Sequence, residues 1–243
     1  MIANNLLRSL QPYDFALISP GLREWSAQKG TDLYQPGDTV KYVYFPCRHT
    51  LLSLRVVLDD GSAVETAMIG REGACQGIIS QGDVPSYVLA SVQIGGPFLR
   101  IEAAVLEQAK ARSRNIQFMF ERYAECLLAQ VYQSVACNAA HSIEQRTAKW
   151  LLATVDRTGD YVVPLTQEQL ASMLSVGRSY VTRVIQALRN KQVLDTKRGA
   201  IIIRDAEGLK SMACSCNTQV KRHFDAVLAG VYPNGAKGSE NVA

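Results

Sequence analysis

Hydrophobic and polar positions divide the chain into stretches of different rhythm. From residue 30 to about 101 the period is two. Val40 to Phe45 is β-branched and aromatic and is stopped by Pro46, and Leu51 to Leu58 is apolar and strand-like. Ser62 to Ile69 alternates, with Ala63, Glu65 and Ala67 on one face and Val64, Thr66 and Met68 on the other; Val88 to Ile94 alternates again. Pro36-Gly37-Asp38 and Gly95-Gly96-Pro97 are turn signals, and Asp59-Asp60-Gly61 predicts a hairpin. Many short strands separated by Gly and Pro predict a sandwich or jelly-roll barrel.

From Ile101 to Ala140 Gly and Pro disappear, and Ala, Leu, Glu, Gln and Arg dominate. Ile116, Phe120, Tyr123, Leu127, Gln130, Ser134 and Cys137 follow alternating spacings of four and three, a heptad-like stripe along one long helix. Such a stripe serves either as a core-facing side or as a dimer seam. The dimer seam is preferred here because of the DNA-binding features described next. Ser142 to Val155 predicts another helix, with Ser142 and Gln145 placed as a capping box and Trp150, Leu151 and Leu152 on its buried face. Asp156 to Pro164 is expected to be a loop or short hairpin. Beyond Tyr232 the polar tail is expected to fray.

Thr166 to Asn190 carries the most specific pattern. Thr166 and Gln169 form a second capping box opening a helix that runs to about Leu174. Ser175-Val176-Gly177 makes a tight turn, and Arg178 to Asn190 is a second helix. Leu170, Leu174, Val176, Val181 and Val184 fall where two crossing helices must pack, and Ala171 falls where they touch most closely. Ser175 stands where the turn favours φ > 0 and glycine is usual. An ordinary helical hairpin could share parts of this pattern; the whole of it fits a DNA-binding helix-turn-helix. The second helix would enter the major groove by its N-terminal half. Arg178, Ser179 and Arg183 are the candidate base readers, since arginine can fork onto guanine O6 and N7. Thr166, Tyr180 and Thr182 are placed to reach phosphates. Val193 to Thr196, Lys197-Arg198-Gly199 and Ala200 to Arg204 read as strand, basic turn, strand: a wing whose Lys197 and Arg198 would lie near the backbone.

Charge supports this division. Residues 1–140 hold 12 Lys and Arg against 13 Asp and Glu, whereas residues 141–230 hold 13 against 8. A basic back half suits a polyanion, although a solvated basic face would give the same count. With 243 residues, two domains are expected. The 47% hydrophobic content is that of a globular protein, and no run approaches the roughly 20 apolar residues of a membrane span. No secretory signal opens the chain, so a cytoplasmic location with reduced thiols is expected for its six cysteines. Cys214-Ser215-Cys216 with His223 offers only three ligands in an unfamiliar spacing, so neither metal nor cofactor is expected, and whether Cys214 and Cys216 have a redox or metal role stays open. His49 and His141 stand isolated in the sequence. No Ser/His/Asp set, paired carboxylates or phosphate loop suggests an enzyme.

Together these features resemble the cyclic-AMP-receptor/FNR (Crp/Fnr) family of bacterial transcription regulators. The most specific stretches are Ile69 to Gly73 (IGREG), Ser142 to Leu152 (SIEQRTAKWLL) and Leu165 to Leu174 (LTQEQLASML). The resemblance implies an α+β chain: a cyclic-nucleotide-domain-like jelly-roll sensor at 1–110, a long dimerisation helix at 111–140, a winged helix-turn-helix at 141–232 and a flexible tail at 233–243. It also implies a homodimer on a near-palindromic operator in double-stranded DNA, with RNA polymerase as a further partner and no membrane. Two departures stand out. Ser179 occupies a position where familiar members place glutamate, so the usual half-site is not expected. The cyclic-nucleotide cassette needs an arginine after Glu72, but Gln81 to Leu89 contains no basic residue, so tight cyclic-AMP binding is not expected. No cysteine precedes Cys47, unlike the N-terminal clusters of iron-sulfur members. The effector stays unassigned. The rivals are a non-DNA interaction module and an enzyme fused to a DNA-binding domain.

Overall fold

Among the described residues, seven strands form the front half: β1 (Arg23–Ala27), β2 (Asp32–Tyr34), β3 (Tyr42–Pro46), β4 (Leu51–Val57), β5 (Ala63–Ile69), β6 (Leu89–Ile94) and β7 (Gly96–Glu102). The computed structural model describes residues 3–79 and 82–229. The expected tail at 233–243 lies outside the described residues, as do Gln81 of the cassette and the last residues of the 141–232 segment. The strands pair antiparallel in two sheets, ordered β1-β7-β3 and β2-β6-β4-β5. Ala27, Tyr44 and Phe98 of the first sheet meet Tyr34, Leu52, Ile69 and Val92 of the second in one buried cluster. The predicted β4–β5 hairpin forms with Val57 opposite Ala63, and Gly61 takes φ 79° at its turn.

Two short helices, α1 (Asn5–Ser9) and α2 (Pro12–Ile18), precede the sheets, and β1 begins before residue 30. The period-two search missed all three. Asn4 is fully buried, caps α1 by accepting from the Leu7 N–H, and donates to the carbonyls of Pro46 and Gly73.

The helical stretch is two helices, α3 (Ala103–Arg112) and α4 (Arg114–Ala140). The break is at Ser113, whose hydroxyl donates to buried Asp14 at 2.6 Å and accepts from the Ile116 N–H to cap α4. The back half continues with α5 (Ile143–Thr158), β8 (Val162–Val163), α6 (Gln167–Leu174), α7 (Arg178–Asn190), β9 (Leu194–Lys197), β10 (Ala200–Ile203), α8 (Ala206–Met212) and α9 (Cys216–Val227). Both expected capping boxes are formed, at Ser142/Gln145 and Thr166/Gln169. Its core is not separate from the front half. Leu51, Met68 and Ile94 of the sheets pack in one cluster with Leu151, Leu170, Val181 and Leu209.

The stripe expected as a dimer seam turns inward. Ile116, Phe120 and Tyr123 are essentially fully buried against Leu6, Val43, Phe45 and Ile101, and Leu127 is partly buried beside them. Gln130 is buried and donates to the Met68 carbonyl, Ser134 is half-buried, and Cys137 packs on Cys214 and Cys216. The core-facing alternative therefore describes this stripe. A single helix lying on a barrel has to spend one apolar face on it, and the heptad spacing cannot distinguish that face from an intermolecular one.

Candidate nucleic-acid interface

Helices α6 and α7 cross over a turn whose geometry follows from its sequence. Ser175 takes φ 53°, ψ 50°, the left-handed conformation that favours glycine. Leu170, Leu174, Val181 and Val184 are buried at the crossing, with small Ala171 between them. The helix α5 braces the turn from behind. Arg146 donates at 2.7 Å to the carbonyl of Leu174, one of the last-turn carbonyls of α6 that lack an intrahelical partner.

Burial on α7 recurs at Val181, Val184, Ile185 and Leu188, leaving Arg178, Ser179, Tyr180, Thr182, Arg183 and Gln186 exposed. Arg178, Ser179 and Arg183, expected as base readers, share this outward side. The Arg183 guanidinium lies 4.4 Å from the centre of the Tyr180 ring, a cation–π contact that limits where the arginine points. Thr182 donates to Gln167 at 2.9 Å, tying α7 to the first residue of α6. Thr166 is exposed, but its hydroxyl is engaged with Gln169 in the cap. Gln186, one turn beyond Thr182, completes the exposed side. The sequence reading left it out, although its position four residues on was the available signal.

The wing forms from β9 and β10, paired Lys197 to Ala200 across Arg198-Gly199, with Gly199 at φ 74°. Lys197 and Arg198 are exposed at its tip. The strands pair with β8 in the order β8-β10-β9. Asp195 lies 3.7 Å from both Arg189 of α7 and Arg204 beyond β10, so ion pairs link the base of the wing to α7.

The Ile69–Gly73 stretch connects the sheets to this unit. Glu72 lies 3.1 Å from Arg157 in the last turn of α5, and Arg157 also donates to Gln130 of α4 at 2.6 Å. Gly70 lets Arg157 approach: a Cβ there would fall 2.8 Å from the Arg157 Cβ. Gly73 does the same for the buried Tyr123 ring, which a Cβ would strike. Glu72, which the resemblance places in the cyclic-nucleotide cassette, here faces the back half of its own chain. Two turns of α5 earlier, Trp150 donates to Glu65 of β5 at 2.7 Å, and Ser53 donates to the other carboxylate oxygen at 2.8 Å. Burial raises the Glu65 carboxyl pKa above its usual value, and the two hydrogen bonds oppose that shift.

Between β4, β5 and α4 an open pocket is lined by Val40, Leu54, Ile69, Ile78, Val84 and Leu127, with no Lys or Arg among its described lining residues. The space between the sheets holds Trp25, Tyr44 and Phe98 in mutual ring contact, 5.3 to 6.3 Å between centroids. On the far side of α4, Leu128, Tyr132 and Val135 are exposed at spacings of four and three, and Phe118 is exposed nearer the helix start. This face was missed because the buried stripe shows the same periodicity more strongly.

Residues 145–212 match the family model of the Crp-like helix-turn-helix domain. No curated protein sequence matches the chain. Many solved structures share its fold. FixK2 from Bradyrhizobium japonicum is 16% identical at a TM-score of 0.68, covering 79% of this chain and 98% of that one. The c-di-GMP-responsive global regulator CLP of Xanthomonas campestris is 14% identical at 0.64, covering 79% and 99%. A CRP/FNR-family transcriptional regulator from Thermus thermophilus is 20% identical at 0.59, covering 79% and 98%. The chain thus carries a Crp-like helix-turn-helix domain, joined to a sheet-rich front half and a long helix in the fold of Crp/Fnr transcription regulators.

Proposed function

We propose that this chain is a sequence-specific transcription regulator that binds double-stranded DNA through α7 and the wing. The observation that carries this is the outward side of α7. Arg178, Ser179, Thr182 and Arg183 are all exposed on a helix whose other side is locked into the core, with the Lys197-Arg198 tip beside it. Arg178, Ser179 and Arg183 read base edges; Thr166, Tyr180, Thr182, Lys197 and Arg198 contact the backbone. Ser179 is too short to select cytosine as a glutamate does, so the half-site differs from the one familiar in the family.

The regulator acts as a homodimer. Its seam is the exposed side of α4, at Phe118, Leu128, Tyr132 and Val135. A lone helix face with this much apolar surface is unusual on a monomer. Two recognition helices about 34 Å apart then meet successive major grooves of a near-palindrome. Such a protein works in the cytoplasm, on the chromosome and beside RNA polymerase.

Its effector is not cyclic AMP. A cyclic phosphate in the pocket beside Leu127 would meet no Lys or Arg among the described lining residues, and losing water there without a partner costs even a neutral polar group up to ~2–7 kcal/mol.

Selection of bound sequences from a random DNA pool tests the whole assignment. Recovery of a palindrome with two half-sites is expected. Enrichment of no sequence, with the folded protein present and soluble, would overturn it.

A further inference from the structure

We propose that Cys137, His141, Cys214 and Cys216 form a four-ligand site for a single zinc ion that fastens α9 to the C-terminal end of α4. Their ligand atoms all lie within 4.8 Å of one another. The Cys137 and Cys214 sulfurs are 3.6 Å apart, and the Cys216 sulfur is 3.5 Å from His141 Nδ1. A tetrahedral zinc with Zn–S of about 2.3 Å and Zn–N of about 2.0–2.1 Å places two sulfurs about 3.8 Å apart and a sulfur and a nitrogen about 3.6 Å apart. Two separate edges of the cluster therefore have the lengths that one small ion imposes.

The chain delivers these ligands from rigid positions. Cys137 and His141 are four residues apart across the last turn of α4, hence on one side of it. His141 is the residue that ends the helix, and its N–H still donates to the Cys137 carbonyl. Cys214 and Cys216 flank Ser215 where the chain enters α9. The positive end of that helix's dipole favours thiolate there. The three sulfurs are buried, and half-buried His141 leaves an approach from solvent. Gln133, one turn before Cys137, donates its amide N–H to the Cys216 sulfur at 3.2 Å, as outer groups do for ligating thiolates. Binding releases three thiol protons and leaves a site of net charge −1, and Lys149 lines the same pocket as Cys216.

A disulfide between Cys137 and Cys214 would use two of the four groups and leave Cys216 and His141 converging for no purpose. An iron-sulfur cluster spreads its protein ligands over two or more irons, and ligands on different irons stand farther apart than these atoms do. The sequence set Cys214 and Cys216 beside His223, the nearest histidine in order, and offered no fourth ligand. The partners come from a helix more than seventy residues earlier.

The test uses the full chain without an affinity tag, purified under reducing conditions without chelator. Elemental analysis is expected to give one zinc per chain. Metal-free protein titrated with cobalt is expected to show the visible bands of a tetrahedral ion and a sulfur-to-metal charge-transfer band, both abolished by zinc. Cys137→Ser, Cys214→Ser, Cys216→Ser and His141→Ala each lose the metal, whereas Cys47→Ser and Cys126→Ser, whose thiols lie elsewhere, keep it. Gln133→Ala weakens zinc affinity about 10–100-fold. Protein with far less than one metal per chain and no cobalt bands would overturn the site without any variant. So would a Cys137–Cys214 disulfide in the reduced preparation, or equal metal loss in the Cys47 and Cys126 controls. None of these readouts depends on DNA binding, so the site and the proposed function fail separately.

Discussion

Arg157 reaches 3.1 Å from Glu72, so a helix of the DNA-binding unit and a loop of the sheet-rich half share one ion pair. The pair is mostly enclosed, and Arg157 holds Gln130 of α4 as well. Breaking an enclosed pair from one side leaves a charge without its partner. Glu72→Gln and Arg157→Met are each expected to lose about 3–5 kcal/mol, with the low end applying to Arg157→Met because the Glu72 it leaves behind retains some solvent. Denaturant unfolding checks the value. The double variant is expected to recover part of the loss, since it leaves neither charge stranded.

Glu65 makes stability depend on pH in a stated direction. Its folded carboxyl pKa lies above the ordinary 4.5, so the folded protein holds the proton more tightly than the unfolded chain. Its contribution is fully present below 4.5 and is lost as pH rises through the higher folded value. Glu65→Gln keeps an acceptor for Trp150 and removes the charge. The variant is expected to melt above the parent in alkaline buffer, with the gap closing on acidification. Thermal unfolding across that range decides it; a gap independent of pH would contradict it.

Replacing both Arg178 and Arg183 with alanine is expected to abolish sequence preference, at about 1–3 kcal/mol of discrimination for each forked contact. Replacing Lys197 or Arg198 is expected instead to weaken binding to all sequences and to reduce the salt slope by about 0.9 per lost phosphate contact. Titrations of specific and random duplexes over a salt series separate the two classes. Tyr180→Ala removes the ring under Arg183 and is expected to reduce discrimination with a smaller change in random-duplex affinity.

The outward face of α4 makes a further distinction. Leu128→Glu with Tyr132→Glu is expected to yield a folded monomer by sedimentation, with unchanged helical circular dichroism. Phe120→Glu on the inward face is expected to unfold the chain instead. A folded monomer from Phe120→Glu, or an intact dimer from the first pair, would reverse the assignment of the two faces.

Ser175 pays for its left-handed backbone, which costs an L-residue roughly 1–2 kcal/mol. Ser175→Gly is expected to stabilise by less than this, about 0.5–1 kcal/mol, because glycine loses more freedom on folding. Unfolding midpoints check the sign, and a lowered midpoint would refute it.

Local chemistry was the part of this fold that sequence could express. The capping boxes at Ser142 and Thr166, the Ser175 turn and the burial period of α7 are each decided within a few residues, and all are present. Partners were another matter. The Ile116–Cys137 spacing records that a face is covered but not by what, and the covering surface is the barrel and α9. Glu72 sits in a familiar motif, yet its role is set by Arg157, 85 positions away. The same holds for Cys137 and His141, which gain meaning only from α9. The front helices escaped because α1 and α2 are shorter than the window over which a helical period becomes visible.

The core that runs from Leu51, Met68 and Ile94 into Leu151 and Leu170 has an engineering consequence. The front and back halves are not exchangeable cassettes. A chimera spliced between Ala140 and Ser142, with a foreign back half on this front half, would leave three apolar side chains and the Glu65 carboxylate facing a surface never shaped for them. Transplanting the back half of this protein requires carrying the matching outward faces of β4, β5 and β6 with it, or redesigning that boundary from both sides.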